Sequence, residues 1–215
     1  MAGHTTSLAS LATCPQRLHA PSGWDSTQRL LDVLVIAAAS PFWVPLLLLT
    51  MAVKLVMDGR PVFFHHVRLG VNGEAFVLHK IRTTPADFRP QPDDWSDEHF
   101  PPRTRLGHWL RRLDLDELPQ LWNVIRGEMS LVGPRPEMPA HAGKFSCWIP
   151  EFTERLAVRP GLTGLAQIRG WRGNTSIRQR VYSDLEYLES RGPSSYCRIL
   201  LATVRVEARR MLETR

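Results

Sequence analysis

The chain has little cysteine, and this scarcity argues against two classes of small protein. Its 215 residues include only three cysteines, Cys14, Cys147 and Cys197, which lie far apart. An odd number of distant cysteines does not build a disulfide framework, and no Cys-x-x-Cys pair is present to bind zinc. A reducing compartment that faces the cytosol fits this cysteine usage best.

The sequence also lacks the signatures of nucleic-acid-binding modules. It has no zinc-finger spacing, no RRM-like aromatic octapeptide and no basic region that runs into heptads. The formal net charge of +6 nevertheless indicates anionic partners. With nucleic acid disfavoured, acidic lipid and phosphorylated substrates are the partners that fit the charge.

No secretory signal is visible near the start of the sequence. Residues 1–23 mix Ser, Thr, Ala and Pro without an apolar core of signal-peptide length. We therefore expect a flexible leader over residues 1–28, a membrane-associated helix over 29–58 and one catalytic domain over 59–215. A chain of this length suits a single domain with a membrane attachment.

The longest apolar run covers residues 33–57 and includes only Ser40, Thr50 and Lys54 as polar residues. A helix of roughly 20 apolar residues is long enough to cross a bilayer, so the run predicts contact with a membrane. Pro41 removes a backbone donor and predicts a break at Ser40-Pro41, where the Ser40 hydroxyl is able to bond a carbonyl one turn earlier.

Basic residues on both sides of this run indicate its topology. Arg29 precedes it, and Lys54, Arg60 and Arg68 come at its end or after it. Because such residues favour the cytoplasmic side, we expect both ends in the cytoplasm and a re-entrant helix between them. A single kinked transmembrane helix and a helix buried in a soluble core are the two alternatives.

The following residues predict a short β-hairpin and then a loop. Residues 62–68 and 75–82 are rich in β-branched and aromatic side chains, and Asn72-Gly73 between them is typical of a hairpin turn. Residues 85–102 carry several prolines and acids without apolar periodicity, which indicates a surface loop or lid.

Helical periodicity dominates the remainder of the chain. Helices are expected at 104–113, directly after Asp116, and at 176–188 and 196–212, where the last two are amphipathic. The fold class expected is therefore α+β and mainly helical, with amphipathic helices at the membrane interface.

Asp116 and Glu117 are the first candidates for chemistry. Carboxylates at a helix N-terminus are favoured by the unpaired amides and the macrodipole, which would keep Asp116 ionised as a nucleophile. Glu117 beside it could hold a hard cation such as Mg²⁺ together with substrate phosphates. The alternative is a helix cap, in which Asp114 or Asp116 caps the helix and Glu117 bonds back.

Arg135 lies between two prolines, and Arg159 precedes another. Prolines on both sides restrict the backbone and hold the Arg135 guanidinium in a defined geometry for bidentate phosphate binding. Each arginine alone could equally be a turn residue paired with a surface acid.

Taken together, these motifs resemble the bacterial sugar transferases, a family of monotopic polyprenyl-phosphate phosphoglycosyl transferases. The resemblance extends from about residue 29 to 201 and is carried by residues 29–32, Ser40-Pro41, and residues 115–124, 129–136 and 159–167.

The resemblance implies a membrane helix broken at Ser40-Pro41 and a catalytic domain on the cytoplasmic face of the bacterial inner membrane. It implies transfer of a sugar 1-phosphate from a UDP-sugar to undecaprenyl phosphate. Asp116 would form a phosphosugar-aspartyl intermediate with release of UMP, and Glu117 would bind Mg²⁺. Membrane lipid is a further expected partner, nucleic acid is not, and a homodimer stays open.

We predict that the substrate and phosphate groups are bound by Lys80, Arg82, Arg111, Arg135, Pro136, Arg159 and Gln167. Residues 170–175 resemble a Gly-Trp-Arg-Gly-x-Thr motif of members that act on glucose 1-phosphate, which favours UDP-glucose over UDP-galactose or an N-acetylated sugar. Residues 190–197 depart from the family pattern. A scaffold that binds polyprenyl phosphate without turnover is the alternative function.

Overall fold

The computed structural model describes residues 23–88, 102–173 and 175–213. The predicted leader up to residue 22 and most of the predicted loop at 85–102 lie outside these ranges. The elements in chain order are α1 (Gly23–Asp58), β1 (Phe63–Leu69), β2 (Ala75–Ile81), α2 (Arg105–Arg112), α3 (Gln120–Arg126), β3 (Ser130–Val132), α4 (Pro139–Trp148), β4 (Gly161–Thr163), α5 (Leu165–Ile168), α6 (Ile177–Glu189) and α7 (Pro193–Glu213). The prediction of a mainly helical α+β chain with a short hairpin is confirmed.

Helix α1 contains Pro41 and Pro45 and is one helix from end to end. The Ser40 hydroxyl donates to the Ala37 carbonyl at 2.7 Å, and this is the carbonyl that Pro41 leaves without a helical donor. The Trp43 indole donates to the carbonyl of Ile36 at 3.0 Å. Side-chain donors therefore bond to two backbone carbonyls in the turn before Pro41, as expected for Ser40.

The surface of α1 is largely apolar and exposed. An 18-residue window has a mean hydropathy of 2.2, and only 11% of it is buried. By length and composition α1 is able to cross a membrane, whereas a core helix of a soluble protein would be mostly buried. The exposure argues against the soluble-core alternative.

The first turns of α1 are attached to the globular domain. Gln28 donates to the Val132 carbonyl at 2.7 Å, and the buried Asp32 accepts from the Tyr196 hydroxyl at 2.8 Å. The Trp24 ring meets Tyr196 edge-on with centroids 6.0 Å apart. The helix consequently starts at Gly23, before the expected boundary at residue 29, because its polar face already has partners there.

Strands β1 and β2 pair antiparallel, with Phe63 opposite Ile81 and Leu69 opposite Ala75. Asn72 in the connecting turn has a φ of 54°, the left-handed conformation that asparagine tolerates better than most residues. The hairpin prediction is confirmed.

A second sheet, which the sequence did not predict, lies in the core. Strands β3 and β4 have three residues each and pair parallel, with Ser130 opposite Gly161. A Cβ on Gly161 would lie 2.1 Å from the Gly133 nitrogen, so the two strands require glycine at this contact. This pairing brings the residues after β3 beside those after β4.

The two amphipathic helices expected near the C-terminal end are confirmed as α6 and α7. Tyr196 and Ile199 of α7 are buried in the core, whereas Leu201 and Val204 are exposed. Helix α7 therefore covers the domain on one side and presents an apolar surface on the other.

Candidate active site

The predicted catalytic pair lies in a short 3₁₀ helix, Leu115–Glu117, rather than in the first turn of an α-helix. Pro119 then precedes α3 with a φ of −62°, which its ring favours. The capping alternative is not realised. Asp114 makes no side-chain cap hydrogen bond, Pro119 rather than Asp116 stands at the N-cap of α3, and Glu117 faces cationic side chains.

Glu117 is held between two cations. Lys80 Nζ and Arg135 Nη2 both lie 2.7 Å from Glu117 Oε1, and Arg135 Nη1 lies 3.4 Å from Oε2. Burial opposes ionisation, yet Arg135 and Lys80 hold the pKa of Glu117 well below its usual range. Glu117 in turn raises the pKa of Arg135, so the carboxylate and the guanidinium group are both charged at neutral pH.

Asp116 is buried beside this trio. Burial raises its pKa above the usual value, with Glu117 acting in the same direction, while Lys80, Arg111 and Arg135 pull it down. From the sequence, the N-terminus of a helix was expected to keep Asp116 ionised. In the structure, the positive charges of Lys80, Arg111 and Arg135 favour its carboxylate form instead. A desolvated carboxylate among fixed cations is a stronger nucleophile than one in water.

The structure brings three of the predicted phosphate-binding cations together. Lys80 extends from the end of β2, Arg135 follows β3, and Arg111 lies in the last turn of α2, where its Nε donates to the Thr83 hydroxyl at 3.1 Å. All three act electrostatically on Asp116. They come from three separate parts of the chain.

Arg82 and Arg159 contact the backbone instead. Arg159 Nε donates to the Gly127 carbonyl at 3.1 Å, at the end of α3. The buried Arg82 guanidinium donates at 2.6–3.1 Å to the carbonyls of Pro61, Thr84, Asp58 and Gly59. In this arrangement both arginines hold chain segments in place, and their predicted phosphate contacts stay predictions.

Pro136 and Gln167 lie on either side of Arg135. The Pro136 carbonyl accepts from Arg68 Nη1 at 3.4 Å, and Gln167 Nε2 donates to the Leu162 carbonyl at 2.9 Å. The buried Oε1 of Gln167 has no partner among the described residues. Gln167 therefore keeps an unpaired polar atom at the edge of the site.

A cavity of about 370 Å³ opens beside Glu117, which is within the size range of small-molecule sites. Its apolar wall is formed by leucines and a valine from several elements: Leu118, Leu121, Leu131, Leu162, Leu200 and Val204. Its polar wall is formed by Asp114, Glu117, Arg135, Thr163, Gln167, Arg172, Thr203, Glu207 and Arg210. Of these residues, Glu207 and Arg210 were not predicted from the sequence, and Asp114 was considered only as a helix cap. The one sequence feature that pointed to Arg172 was its place in the Gly-Trp-Arg-Gly motif.

Behind Arg135 lies a sealed network of charges. Arg155 donates to the Arg135 carbonyl at 2.8 Å and pairs with Asp184 at 2.7 Å, while Glu137 lies 3.5 Å from Arg180. Despite burial, contacts with His141 and nearby arginines lower the pKa of Glu137 to about 2. This network supports the backbone that carries Arg135.

The described residues contain no cluster of three or more His, Cys, Asp or Glu arranged to hold a metal ion. Among the described residues, Glu117 Oε2 makes one hydrogen bond, from Arg135 at 3.4 Å, and Glu117 lines the cavity. Mg²⁺ typically takes one or two carboxylate oxygens and completes its shell with water and substrate phosphates. The donor set around Glu117 fits that mode of binding.

Comparison with known proteins agrees with this geometry. Residues 24–210 match the family model described as bacterial sugar transferase. Similar proteins include a UDP-glucose:undecaprenyl-phosphate glucose-1-phosphate transferase of Caulobacter vibrioides, 43% identical over 186 residues that cover 84% of this chain and 69% of the relative. The exopolysaccharide production protein ExoY of Rhizobium meliloti is 39% identical over 178 residues, which cover 76% of this chain and 77% of ExoY.

One longer relative is matched over only part of its length. The UDP-glucose:undecaprenyl-phosphate glucose-1-phosphate transferase of Escherichia coli K12 is 39% identical over 163 residues, 74% of this chain but only 34% of that protein. By the extent of the family match and the identity to these relatives, the chain belongs to the bacterial sugar transferase family.

Proposed function

We propose that the chain transfers glucose 1-phosphate from UDP-glucose to undecaprenyl phosphate with release of UMP. The observation that carries this proposal is the buried Asp116 next to Glu117. Lys80 and Arg135 lie 2.7 Å from Glu117, and Glu117 lines the cavity. The names of the Caulobacter and Escherichia relatives support the same reaction and the same sugar. The reaction is a first membrane step of polysaccharide synthesis.

The transfer proceeds in two displacements at one phosphorus atom. An Asp116 carboxylate oxygen bonds to the β-phosphorus of UDP-glucose, and the bond from that phosphorus to the bridging oxygen breaks, so UMP leaves with the electron pair. A phosphate oxygen of undecaprenyl phosphate then bonds to the same phosphorus and displaces Asp116 as a carboxylate. No proton has to move in either step, and splitting the transfer lowers each barrier.

Lys80, Arg111 and Arg135 stabilise the charge of the diphosphate. Preorganised cations in a desolvated site act strongly on the equatorial oxygens of a phosphoryl group during transfer. Glu117 would hold Mg²⁺, and the ion would neutralise part of the same charge. Arg135 uses one N–H of each terminal nitrogen on Glu117, and its other N–H groups would bind phosphate oxygens. The network behind it keeps its backbone in place.

An apolar groove supports a lipid acceptor. It has a volume of about 310 Å³ and is lined by Trp43 and Leu47 of α1, by Phe63 and Trp122, and by Leu118-Pro119 directly after the catalytic pair. A hydrocarbon chain that enters along α1 would bring its phosphate towards Asp116. The groove and the cavity share Leu118. Because each displacement is in-line, the lipid phosphate would attack from the position that UMP leaves, opposite Asp116.

The membrane helix is assigned as re-entrant, with both of its ends at the cytoplasmic face of the inner membrane. The support is Ser40-Pro41 in an exposed apolar helix whose two ends are flanked by basic residues. A cysteine at Gly23 in a variant without native thiols should be protected from a periplasmic reagent. It should label after replacement of Ser40 and Pro41 by Ala and Leu, and labelling without that replacement would instead show a transmembrane helix.

The reaction is tested with purified protein, UDP-glucose, undecaprenyl phosphate and Mg²⁺. The expected result is release of UMP and formation of a lipid-linked glucose diphosphate, with loss of both after chelation of the metal. Without lipid, a phosphohexose adduct on Asp116 should appear by mass spectrometry. Binding of undecaprenyl phosphate with no UMP release would favour the scaffold alternative.

A further inference from the structure

The cavity beside Glu117 holds charged groups that the phosphoryl transfer does not use. Asp114 precedes the catalytic pair, Arg172 lies between α5 and α6, and Glu207 and Arg210 belong to α7. All four line the same cavity as Glu117. Three distant parts of the chain therefore meet at one wall.

These four side chains alternate in charge. Arg172 Nη2 lies 2.5 Å from Glu207 Oε1, and Arg210 Nη2 lies 2.6 Å from Asp114 Oδ2 and 3.1 Å from Glu207 Oε2. Arg172 Nη1 is 3.6 Å from Asp114 Oδ2. Hydroxyl groups both donate and accept, so a ring of carboxylates and guanidinium groups matches neighbouring hydroxyls on a sugar.

Asp114 lies at this wall in a left-handed backbone conformation. Its φ is 51°, in a region that aspartate adopts more readily than most residues, and it makes no helix cap. Burial, and next the charge of Glu117, raise its pKa to about 6. The Asp114 side chain is paired with Arg210 and Arg172 and is still 36% exposed, so its carboxylate remains accessible from the cavity.

An unpaired oxygen of Gln167 also indicates a polar ligand. Gln167 is 4% exposed, and among the described residues its Oε1 has no hydrogen-bond partner. Unpaired buried polar atoms are uncommon and typically mark a position that water or a ligand occupies. Gln167 lines the cavity, and its Oε1 would accept from a ligand hydroxyl after rotation of the side-chain amide.

In the proposed reaction the hexose would be the part of UDP-glucose closest to this wall. It is bonded through one oxygen to the phosphorus that Asp116 would attack, whereas in-line displacement would place the departing UMP opposite Asp116. Asp114 is two residues from Asp116, and its charge interacts with that of Glu117. A phosphorus bound at Asp116 would therefore bring the sugar ring, rather than the ribose, towards Asp114.

We propose that Asp114, Arg172 and Glu207, with Gln167, form a subsite for the hexose hydroxyls and determine which sugar is transferred. This inference rests on the proposed function, because it takes a UDP-hexose as substrate. It assigns α7 a role in specificity in addition to covering the domain. The same cavity would reject a hexose whose hydroxyl configuration leaves Glu207 or Asp114 without a partner.

The test compares Glu207→Gln with the wild-type full-length protein in detergent or nanodiscs. The specificity constant for UDP-glucose should fall about 10- to 100-fold, as for loss of one charged hydrogen bond. The preference for UDP-glucose over UDP-galactose should fall at least about fivefold, and inhibition by UMP should stay within about twofold. Glu186→Gln removes an exposed ion pair with Arg169 and is the matched control, with no change expected in any of these values.

Each other outcome overturns the subsite. If UMP inhibition weakens in parallel for all sugars, the wall binds the nucleoside. If sugar preference is unchanged, the four charges only hold α7 in place. Should Glu207→Gln fail to fold by thermal denaturation, Asp114→Asn is measured against the same criteria.

Binding separates this inference from the proposed reaction. If the wild-type protein releases no UMP from any UDP-sugar, the proposed function fails. Calorimetric titration with UDP-glucose and with UDP then measures whether the hexose contributes to binding. A tighter binding of UDP-glucose that disappears in Glu207→Gln supports the subsite, and equal binding of the two ligands overturns it.

Discussion

Two clusters of ion pairs lie at opposite ends of the segment from Arg135 to Glu137. In the first, Lys80 and Arg135 hold Glu117 beside a cavity; in the second, Arg155 and its neighbours surround Glu137 and Asp184 in the interior. The side chain of Arg135 is 35% exposed, and that of Arg155 only 1%. The same residue types therefore form a candidate ligand-binding site where they line a cavity and an enclosed network of ion pairs where they do not.

The two clusters should also respond differently when one of their charged residues is replaced. A charge at the cavity has water or substrate as an alternative partner, so its removal should change catalysis more than folding. A charge in the sealed cluster has only its neighbours, so its removal should change folding first. The following predictions test this division.

The largest expected effect is that of Asp116→Asn at the cavity cluster. The amide keeps the shape of the side chain but is not a nucleophile, so UMP release should fall more than about 1000-fold. The melting temperature should not decrease, because a buried carboxylate with a raised pKa is removed. Asp87→Asn, at an exposed aspartate, is the matched control. Near-normal turnover in Asp116→Asn would exclude the aspartyl intermediate.

In the sealed cluster, Arg155→Met should destabilise the fold by about 3–5 kcal/mol, since it leaves Asp184 and Glu137 with less compensation. Denaturant unfolding in detergent measures this change. The double variant Arg155→Met with Asp184→Leu should recover a large part of the loss, because it removes the buried charge too. Equal stability of Arg155→Met and wild type would show that the cluster is not sealed from water.

Stability at acidic pH should depend on Glu137. Its pKa in the folded protein is about 2 against an ordinary value of 4.5, so the stabilisation is present above pH 4.5 and is lost as the pH falls towards 2. The difference is worth roughly 3 kcal/mol. In Glu137→Gln the free energy of unfolding should fall less steeply between pH 5 and 2. An unchanged slope would contradict the assigned pKa.

Of the four predicted effects, that of Arg135→Lys should be the smallest, and it should separate activity from stability most clearly. Lysine keeps the charge but not the planar fork, so activity should fall about 10- to 100-fold while stability changes by less than about 1 kcal/mol. Steady-state kinetics and thermal denaturation of the same sample measure both. A loss of stability equal to that of Arg155→Met would erase the distinction between the two clusters.

Much of the candidate site was predictable from the sequence because its motifs are local. Asp116-Glu117 next to a proline, Arg135 between prolines, and an apolar run with Ser40-Pro41 each indicate a role from adjacent residues alone. Hairpin and amphipathic helices were predictable for the same reason, since their periodicity is contained in one segment. The resemblance to the family added the reaction and the substrates.

Other features depend on which segments meet in space. The three-residue strands β3 and β4 are too short to carry a period, so their pairing exists only through the core. Arg82 and Arg159 have the composition of phosphate ligands, yet their guanidinium groups contact backbone carbonyls. Glu207, far along the chain from Asp114, reaches the same cavity only because α7 packs against β3 and β4.

The sequence by itself determined the chemistry of this protein: an acidic pair, a constrained arginine and an apolar helix with a proline. Only the tertiary structure decided which charges face the cavity and which are enclosed. The physical reason is that ionisation, nucleophilicity and stability depend on burial and on the distances between charges. Those distances are properties of the packed chain, and no local pattern encodes them.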